Sequence, residues 1–280
     1  MSSTIFTGKS ALITGASAGL GEEFARQLAQ WGASHLILTA RRNDRLLKLK
    51  AALSGEHPGL RVDLLTADLA APGGVAGLIS DLERQNLAPD MVINNAGFGD
   101  LGIFESSDPA KIEAMLALNV TALTLLTRWA VNPMLAKKSG WICNVGSTAG
   151  LLPLPSFAVY GATKAYVNSF SEALRAELHG SGVFVTALLP GPVETEFGQV
   201  ASRANSHRRF APPPFLCVDK ADVVRETLYA MARGQGRLIP GFPVRFPMLF
   251  VESTPRWLLR FIFNLSSGGF RRERQSANQP

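Results

Sequence analysis

Short apolar runs alternate along the chain with longer segments in which apolar residues recur at helical spacing. Most of the short runs are apolar on both faces, which is typical of parallel strands that helices cover on both sides. The alternation predicts an α/β fold with a doubly wound parallel sheet of about seven strands. Strands are predicted at 10–14, 35–39, 62–66, 91–94, 141–146, 183–189 and 237–239, and helices near 20–31, 43–54, 73–86, 109–137, 157–180 and 220–233.

The same pattern indicates a single domain over residues 1–240, because no internal repeat and no interdomain linker interrupts it. One irregular stretch, at about 190–217, is rich in Pro, Ser and Arg. It is long enough to form a lid rather than a turn. Residues 241–280 follow the last predicted strand as an apolar and basic extension.

Composition favours a globular protein with a large core. Hydrophobic residues make up 46% of the 280 residues and charged residues 18%, and no long tract has the composition of a disordered segment. Cys143 and Cys217 form no CxxC or Cys/His cluster, so we expect a reducing compartment and no metal site. The N-terminus lacks a signal-peptide pattern and no run reaches the ~18 apolar residues of a membrane span, which predicts a cytoplasmic protein.

The net charge of +6 is concentrated at the C-terminal end. Residues 237–280 hold seven Arg and two Glu, whereas the first 236 residues hold 21 basic and 20 acidic residues. The body of the protein is therefore nearly neutral, and a basic groove for nucleic acid is not expected.

Three glycines punctuate the turn between the first predicted strand and the first helix. Gly15, Gly19 and Gly21 are arranged as G-x-x-x-G-x-G, with Ser17, Ala18 and Leu20 between them. Glycines at such a turn allow a diphosphate to approach the backbone, and the helix N-terminus offers free N–H groups to it. The spacing differs from the G-x-G-x-x-G dinucleotide fingerprint, and a glycine-rich turn without a ligand is the alternative.

Two arginines stand at the end of the second predicted strand, where a carboxylate would favour NAD by binding the adenosine ribose. The sequence there is Ala40, Arg41, Arg42. Guanidinium groups suit a 2′-phosphate through charge-assisted hydrogen bonds, so the cofactor is predicted to be NADP(H). Alternatively, Arg42 only begins the next helix in solvent.

Tyr160 and Lys164 lie four residues apart in a predicted helix. Side chains at this spacing share a helix face, with roughly 5 to 6 Å between their Cβ atoms. The pair alone does not distinguish a reaction centre from an ordinary helix surface.

The motifs together are more specific. With TGxxxGxG, the NNAG sequence at 94–97, Ser147, Tyr160-x-x-x-Lys164 and PGPVET at 190–195 in this order, the chain resembles the short-chain dehydrogenase/reductase family over about residues 8–239. The resemblance implies a Rossmann fold, NADP(H) and hydride transfer between a carbonyl and an alcohol. It adds as cofactor-binding residues Asp68, Leu69, Asn95, Ala96, Gly97, Tyr160, Lys164, Pro190, Gly191, Val193 and Thr195, with Asn95 also bracing the sheet.

The resemblance implies four catalytic residues, Asn119, Ser147, Tyr160 and Lys164. Tyr160 is the general acid or base, and its phenol has a reference pKa near 10, so we expect the Lys164 ammonium and an oxidised nicotinamide to lower it. Lys164 also binds the nicotinamide ribose.

Ser147 is expected to polarise the substrate carbonyl, while a turn-capping role is credible for Thr148 and not for Ser147. Asn119 holds a relay water in the family, and a buried amide with all its hydrogen bonds satisfied is the alternative.

Apolar residues in three segments are expected to form the walls of the substrate site and to favour an apolar ketone or secondary alcohol, for example a 3-oxoacyl, steroid-like or xenobiotic ketone. These candidate walls are Phe98, Leu101, Phe104, Leu152, Leu154, Phe157 and Phe197. His207, Arg208 and Arg209 form a basic cluster that either receives an acidic substrate group or is a solvated loop. Tyr166 has no matching role and is interpreted as a packing or interface residue.

Two questions stay open at the sequence level. The segment around Trp257 to Leu265 is too short to span a bilayer, but with Arg256, Arg260 and the arginines at 271, 272 and 274 it is suited to an anionic membrane surface. The alternative is a helix that covers the pocket or contacts a second subunit of an expected homodimer or homotetramer. For function, the alternative to an oxidoreductase is a non-catalytic NADP(H)-binding sensor or scaffold protein.

Overall fold

The computed structural model describes residues 3–203 and 212–265. Seven parallel strands form one sheet in the order β3-β2-β1-β4-β5-β6-β7. The doubly wound parallel sheet predicted from the sequence is confirmed, and each strand lies within about a residue of its predicted position. The strands are β1 (Ser10–Thr14), β2 (His35–Ala40), β3 (Arg61–Thr66), β4 (Met91–Asn94), β5 (Gly140–Val145), β6 (Val183–Leu188) and β7 (Arg237–Leu238).

Helices cover both faces of the sheet. The α-helices of the described residues are α1 (Gly19–Gln30), α2 (Asn43–Glu56), α3 (Gly74–Arg84), α4 (Pro109–Leu116), α5 (Leu123–Lys137), α6 (Ala158–Glu177), α7 (Phe197–Ala201), α8 (Lys220–Ala232), α9 (Phe242–Ser253) and α10 (Arg256–Leu265). Two buried clusters result, one containing Ile13, Leu36 and Phe24 and the other containing Leu12, Ile37 and Leu126. Neighbouring residues of β1 thus enter different clusters, as a strand buried on both faces requires.

The strand order reverses between β1 and β4. From β1 the chain proceeds outward through β2 and β3, and it then returns to the other side of β1 with β4. Open α/β sheets bind ligands in the crevice that such a reversal leaves at the carboxyl ends of the strands. The turn after β1 and the segments after β4 and β5 meet at this crevice.

The predicted helix at 109–137 is divided by a π-helical turn at Ala117–Ala122, between α4 and α5. Among the described residues, this continuous 29-residue stretch is the one helix long and apolar enough to cross a membrane. Its mean hydropathy is high, although polar residues interrupt its apolar runs. Its residues Leu126, Ala130 and Met134 belong to the core on the sheet, so it is a core helix of the domain.

The C-terminal extension continues as α9 and α10 after the sheet is complete. Val244 of α9 is buried and packs on Gly191, where an added Cβ would lie 2.7 Å from Val244 Cγ1. On the outside of α9, the rings of Phe242, Phe246 and Phe250 contact one another in sequence and are 49 to 70% exposed. One side of α9 therefore contacts the domain while the opposite side presents aromatic rings.

Candidate active site

A cavity of about 580 Å³ opens at the carboxyl ends of the strands. This volume is in the range of cofactor and ligand sites. Nearly all of the residues predicted from the sequence line it: Gly15, Ser17, Ala18, Gly19, Leu20, Arg41, Arg42, Asp68, Leu69, Asn95, Ala96, Gly97, Ser147, Tyr160, Lys164, Pro190, Gly191, Val193 and Thr195. Gly21 and Asn119 lie behind this wall.

The glycine turn brings β1, β4 and the start of α1 together. Gly15 has φ +67° and a Cβ there would lie 2.9 Å from the Cα of Ala96, so the residue needs both the left-handed backbone and the missing side chain. A Cβ on Gly21 would lie 2.4 Å from the carbonyl oxygen of Gly15. Gly21 therefore allows α1 to pack against the turn, while the residues before it form the cavity wall.

Asn95 braces the sheet, as the family resemblance implied. Its Nδ2 donates to the carbonyl oxygens of Thr14 at 2.9 Å and Gly15 at 3.3 Å, and its backbone N–H donates to Thr14 Oγ1. The N–H of Ala96 donates to the same hydroxyl at 2.9 Å. These bonds fix the end of β4 against the glycine turn and hold this edge of the cavity in place.

Arginine side chains line the end of the cavity beside β2. Nε and Nη2 of Arg42 each lie 3.3 Å from Ser17 Oγ, and its Nη1 donates to Glu196 at 3.0 Å. Arg41 is more open: its side chain is 66% exposed, and its Nη1 lies 4.0 Å from Asp68 Oδ2. Arg42 is thus tied to the glycine turn and is more than the solvated start of α2.

Tyr160 and Lys164 lie on the buried face of α6. The relative exposure of Tyr160 is 8% and that of Lys164 is 5%. Lys164 Nζ donates to the carbonyl oxygen of Val145 at 2.7 Å and lies 5.8 Å from the centroid of the Tyr160 ring. An ordinary solvent-facing helix surface is excluded for this pair.

Burial shifts the pKa of both groups. It raises the pKa of Tyr160 to about 12, against an opposing hydrogen bond from Ser147, and it lowers the pKa of Lys164 to about 8. The expectation that Lys164 and an oxidised nicotinamide together lower the pKa of Tyr160 stays a prediction, because burial alone raises that pKa in the protein without the nicotinamide. Removal from water has this effect on both groups because the charged form of each loses its hydration.

Ser147 follows β5 and combines two roles. Its Oγ accepts a hydrogen bond from the N–H of Ala149 at 3.0 Å, which caps the short 3₁₀ turn at Thr148–Gly150. The same hydroxyl donates to the carbonyl oxygen of Pro190 at 3.4 Å and lies close enough to the Tyr160 phenol to oppose the rise of its pKa. The expectation that Ser147 does not cap a turn is wrong, and the cap holds the hydroxyl beside the phenol. Thr148 Oγ1 donates to the carbonyl oxygen of Pro190 as well, at 3.3 Å.

Asn119 lies in the π-helical turn and is 1% exposed. Its Nδ2 donates to the carbonyl oxygen of Phe98 at 2.9 Å and to Thr163 Oγ1 at 3.1 Å, and its Oδ1 accepts from the N–H of Phe98. The π turn, which is often found at functional sites, thus aims this amide at the segment after β4 and at α6. One Oδ1 lone pair has no partner among these bonds.

The substrate end of the cavity has apolar walls. Phe98, Leu152, Leu154, Phe157 and Phe197 line it as predicted, together with Val200, Leu216 and Met248, which the sequence interpretation missed. Leu101 and Phe104 do not line it. Leu101 is buried in a cluster with Met115 and pairs with Ser202, while Phe104 is 62% exposed. The predicted cluster at 207–209 lies outside the described residues, as do the arginines at 271, 272 and 274.

A buried ion pair joins the segment after β4 to the segment after α7. Arg203 Nη2 lies 2.5 Å from Asp100 Oδ2, and Lys111 Nζ lies 2.9 Å from Asp100 Oδ1. Burial would raise the pKa of Asp100, but the hydrogen bonds from Arg203 and Lys111 outweigh it and hold the pKa below its usual value. Arg203 also donates to the carbonyl oxygens of Ile103 and Ser106. These contacts join the segment after β4 to the segment after α7.

Tyr166 contacts a different part of the protein. It is 40% exposed, its ring stacks on Phe170 with centroids 5.8 Å apart, and its hydroxyl lies 3.0 Å from Thr124 Oγ1. Its interpretation as a packing residue is confirmed, and its part in an interface stays a prediction.

The sequence model of the family described as short chain dehydrogenase matches residues 9–206. The chain belongs to the short-chain dehydrogenase/reductase family. It is 38% identical over 203 residues to the NADP-dependent 3-hydroxy acid dehydrogenase YdfG of Salmonella typhi, a match that covers 70% of this chain and 78% of that protein.

Solved structures of other family members have the same fold. A short-chain dehydrogenase from Sphingobium yanoikuyae in complex with NADPH is 33% identical, with a TM-score of 0.75 over 86% of this chain and 92% of that one. A bulky-bulky ketone specific alcohol dehydrogenase from Comamonas testosteroni is 31% identical, with a TM-score of 0.73 over 86% and 90%. The family assignment made from the sequence motifs is confirmed.

Proposed function

We propose that the protein is an NADP(H)-dependent oxidoreductase that interconverts a carbonyl and a secondary alcohol, with Tyr160 as the proton donor or acceptor. One observation carries this proposal. The buried Ser147, Tyr160 and Lys164 open into the same cavity as the glycine turn and Arg42. A binding protein without turnover needs the glycine turn and the arginine, but it has no need to keep a charged lysine away from water beside a phenol.

The residues present fit NADP(H). Gly15 and Gly21 pack so closely against the backbone that there is no room for a Cβ atom at either position. Helix α1 begins at Gly19, and its N-terminal N–H groups are suited to a diphosphate. Ser17 and Arg42 are joined beside β2 and offer a hydroxyl and a guanidinium to a 2′-phosphate. The NADP-dependent relative and the NADPH complex support the same cofactor.

In carbonyl reduction the cofactor supplies the hydride, and the protein supplies the proton and the positions. The phenol of Tyr160 donates its proton to the substrate oxygen as negative charge develops there. The Ser147 hydroxyl, held by its bond from Ala149, donates a hydrogen bond to the same oxygen. Lys164 is fixed by Val145 and places its positive charge beneath the Tyr160 ring.

The raised pKa of Tyr160 populates, at neutral pH, the protonated phenol that carbonyl reduction requires. A phenol whose pKa is raised to about 12 stays protonated and is ready to act as an acid. For alcohol oxidation the same group has to be deprotonated first, which costs more at pH 7 than at high pH. Lys164, with a pKa of about 8, carries its charge through the neutral range.

Asn119 has a positioning role in this proposal. Its three hydrogen bonds join the π turn to Phe98 and to Thr163 on α6. This supports the alternative of a buried, hydrogen-bonded amide. The remaining Oδ1 lone pair is compatible with a relay water, and an added Cβ on Gly97 would lie 3.0 Å from that oxygen.

The substrate is proposed to be an apolar, bulky ketone or secondary alcohol. At the substrate end the described walls are formed by aromatic and aliphatic side chains. Of the charged residues that line the cavity, Arg41, Arg42, Asp68 and Glu196 lie at the cofactor end, and Lys164 donates to the carbonyl oxygen of Val145. A small acid would leave its carboxylate without a partner on such walls, which is costly. The similarity to the ketone-specific alcohol dehydrogenase therefore supports the substrate class better than the similarity to the 3-hydroxy acid dehydrogenase.

A substrate panel tests this function. Small aldehydes, aryl and bicyclic ketones, steroid ketones, 3-oxoacyl thioesters and 3-oxo acids are incubated with NADPH or NADH, and absorbance is followed at 340 nm. We expect NADPH oxidation with the bulky ketones at kcat/KM values at least tenfold above those for 3-oxo acids. NADPH binding with no oxidation by any carbonyl would instead support a sensor or scaffold protein.

The outer surface of α9 and α10 is proposed to contact lipid. Phe242, Phe246 and Phe250 are exposed on α9, and Trp257 and Phe261 are 68% and 57% exposed on α10. The inner side of α9 contacts the domain, and Met248 lines the cavity. The alternative that this segment covers the pocket is thus supported for the inner side. The homodimer or homotetramer stays a prediction.

Co-sedimentation with vesicles tests the lipid contact. We expect the full-length chain to sediment with vesicles containing an anionic lipid, because aromatic rings insert at the interface and the basic C-terminal segment is attracted to the surface. The variant Phe246→Ser/Phe250→Ser is expected to lose most of this binding. Equal, negligible binding by both proteins would contradict the proposal.

A further inference from the structure

Glu196 lies where the segment after β6 crosses the cavity to meet α2. Its Oε2 accepts a hydrogen bond from Arg42 Nη1 at 3.0 Å, and its Oε1 accepts one from Arg45 Nη1 at 2.5 Å. The two arginines are three residues apart at the start of α2 and 151 to 154 residues distant from Glu196 in the chain. One carboxylate thus bridges two guanidinium groups across the opening of the cavity.

The bridge lies at the site proposed for the 2′-phosphate. Ser17, Arg42 and Glu196 all line the cavity, and the guanidinium that donates to Glu196 also contacts Ser17 Oγ through its Nε and Nη2. A phosphate bound by Ser17 and Arg42 would lie within a few ångströms of the Glu196 carboxylate. Both groups are anions that seek the same guanidinium N–H donors.

The Glu196 carboxylate is ionised at neutral pH. Hydrogen bonds from Arg45 and Arg42 hold the pKa of Glu196 below its usual value. Its side chain is 42% exposed, as are about two fifths of the side chains of Arg42 and Arg45. Ion pairs with this exposure are weak and are screened by salt, so an incoming phosphate can displace the carboxylate.

We propose that Glu196 is a determinant of cofactor preference, an internal anion that competes with the 2′-phosphate of NADP(H) for Arg42. The carboxylate lowers the affinity for NADPH and leaves the affinity for NADH nearly unchanged, because NADH presents no phosphate at this position. Arg45 retains the carboxylate when the phosphate takes Arg42, which limits the repulsion between the two anions. This role rests on the proposed binding of the 2′-phosphate by Arg42.

Direct binding measurements test the proposal without a substrate. The dissociation constants of NADPH and NADH are measured by cofactor fluorescence for the wild type, Glu196→Gln and Glu194→Gln. Glu194 is exposed, so its substitution removes the same charge two residues away. We expect Glu196→Gln to tighten NADPH about three- to tenfold, from the Coulomb energy of two nearby charges in a water-like medium, while NADH changes less than twofold.

Two further results distinguish this role from others. The gain is expected to shrink as ionic strength rises, since exposed charges are screened, and Glu194→Gln is expected to leave the ratio of the two dissociation constants unchanged. If Glu196→Gln lowers the affinity for NADPH and NADH equally, Glu196 helps to hold either cofactor in place and the proposal is wrong. Unchanged affinities for both cofactors would overturn it as well.

The Arg42→Gln variant distinguishes the proposed role of Glu196 from the proposed 2′-phosphate site on which that role rests. Arg42→Gln is expected to weaken NADPH and spare NADH, and adding Glu196→Gln to it is expected to yield no further gain. If Arg42→Gln weakens neither cofactor selectively, the proposed phosphate site is wrong. If it does so while Glu196→Gln has no effect in the wild-type background, only the role of Glu196 is wrong.

Discussion

Tyr160→Phe is expected to lower kcat for ketone reduction by about 10²- to 10⁴-fold, the usual contribution of a positioned general acid. The substitution removes the hydroxyl and keeps the ring, which packs 5.5 Å from Phe157 and 5.3 Å from Phe197 between ring centroids. The cavity wall therefore stays in place. We expect the dissociation constant of NADPH to change less than threefold, so that the loss lies in the chemical step.

Tyr166→Phe is the matched control. It removes a phenol from the same helix, six residues away, where the hydroxyl contacts Thr124 at the surface. We expect wild-type turnover from this variant. Steady-state rates for both variants, with the best ketone of the panel and saturating NADPH, check the prediction. Tyr160→Phe turnover within tenfold of the wild-type rate would contradict the acid role of Tyr160.

The pH profile separates the acid role from a merely structural one. Because the pKa of Tyr160 is raised to about 12, the phenol stays protonated across the neutral range and reduction does not require its deprotonation. Residual activity of Tyr160→Phe, supplied by solvent protons, is instead expected to decline steadily as the pH rises.

Periodic features of the fold were predictable from the sequence. The seven strands are short apolar runs, and a run that is apolar at successive positions indicates a strand buried on both faces. Such a run can be recognised from the few residues that form it. The glycine turn was also predictable, because Gly15 and Gly21 are required where backbone segments meet. Tyr160 and Lys164 needed only helical spacing and the order of the surrounding motifs.

Contacts between distant parts of the chain were not predictable in this way. The bridge from Glu196 to Arg45 joins residues 151 positions apart, and the approach of Met248 to the cavity depends on how α9 folds back over Gly191. Such contacts leave no periodic pattern. The direction of the Tyr160 pKa shift also depends on burial, which the i, i+4 spacing with Lys164 does not report.

The division of the helix at 109–137 has a similar cause. The sequence pattern of this segment is helical throughout. The π turn at Ala117–Ala122 contains Asn119, whose amide donates to Phe98 and Thr163 on two other segments. Helical propensity is weak compared with tertiary hydrogen bonds of this kind. The residue was recognised from the family motif, while the backbone that aims it came from the structure.

Lys164→Met is expected to abolish most of the activity and to stabilise the fold. Burial lowers the pKa of Lys164 from 10.5 to about 8, and each unit is worth about 1.4 kcal/mol, so keeping the ammonium buried at pH 7 costs about 3 kcal/mol. Methionine retains an apolar side chain of similar length. Losing the bond to Val145 costs about 1 kcal/mol, which leaves a net gain of about 1 to 2 kcal/mol at pH 7.

The sign of the pH dependence follows from the same shift. Between pH 8 and 10.5 the unfolded wild-type chain binds more protons at this lysine than the folded chain does, so the stability of the wild type rises with pH. Lys164→Met lacks this titration. Its advantage over the wild type is therefore largest below pH 8 and disappears as the pH approaches 10.5. Ionisation of Tyr160 is common to both proteins and largely cancels in the difference.

Urea unfolding at pH 7, 8.5 and 10 measures the difference in the free energy of unfolding between the wild type and Lys164→Met. NADPH oxidation measures the activity of both proteins. The activity of Lys164→Met is expected to fall about 10²- to 10³-fold, because one preorganised charge is lost. Lys48→Met, at an exposed position of α2, is the control and is expected to change neither quantity appreciably. A Lys164→Met protein less stable than the wild type at pH 7 would contradict the cost assigned to the buried ammonium. Higher stability with lost activity would show that the fold maintains this charge for the chemistry, because packing alone favours its removal.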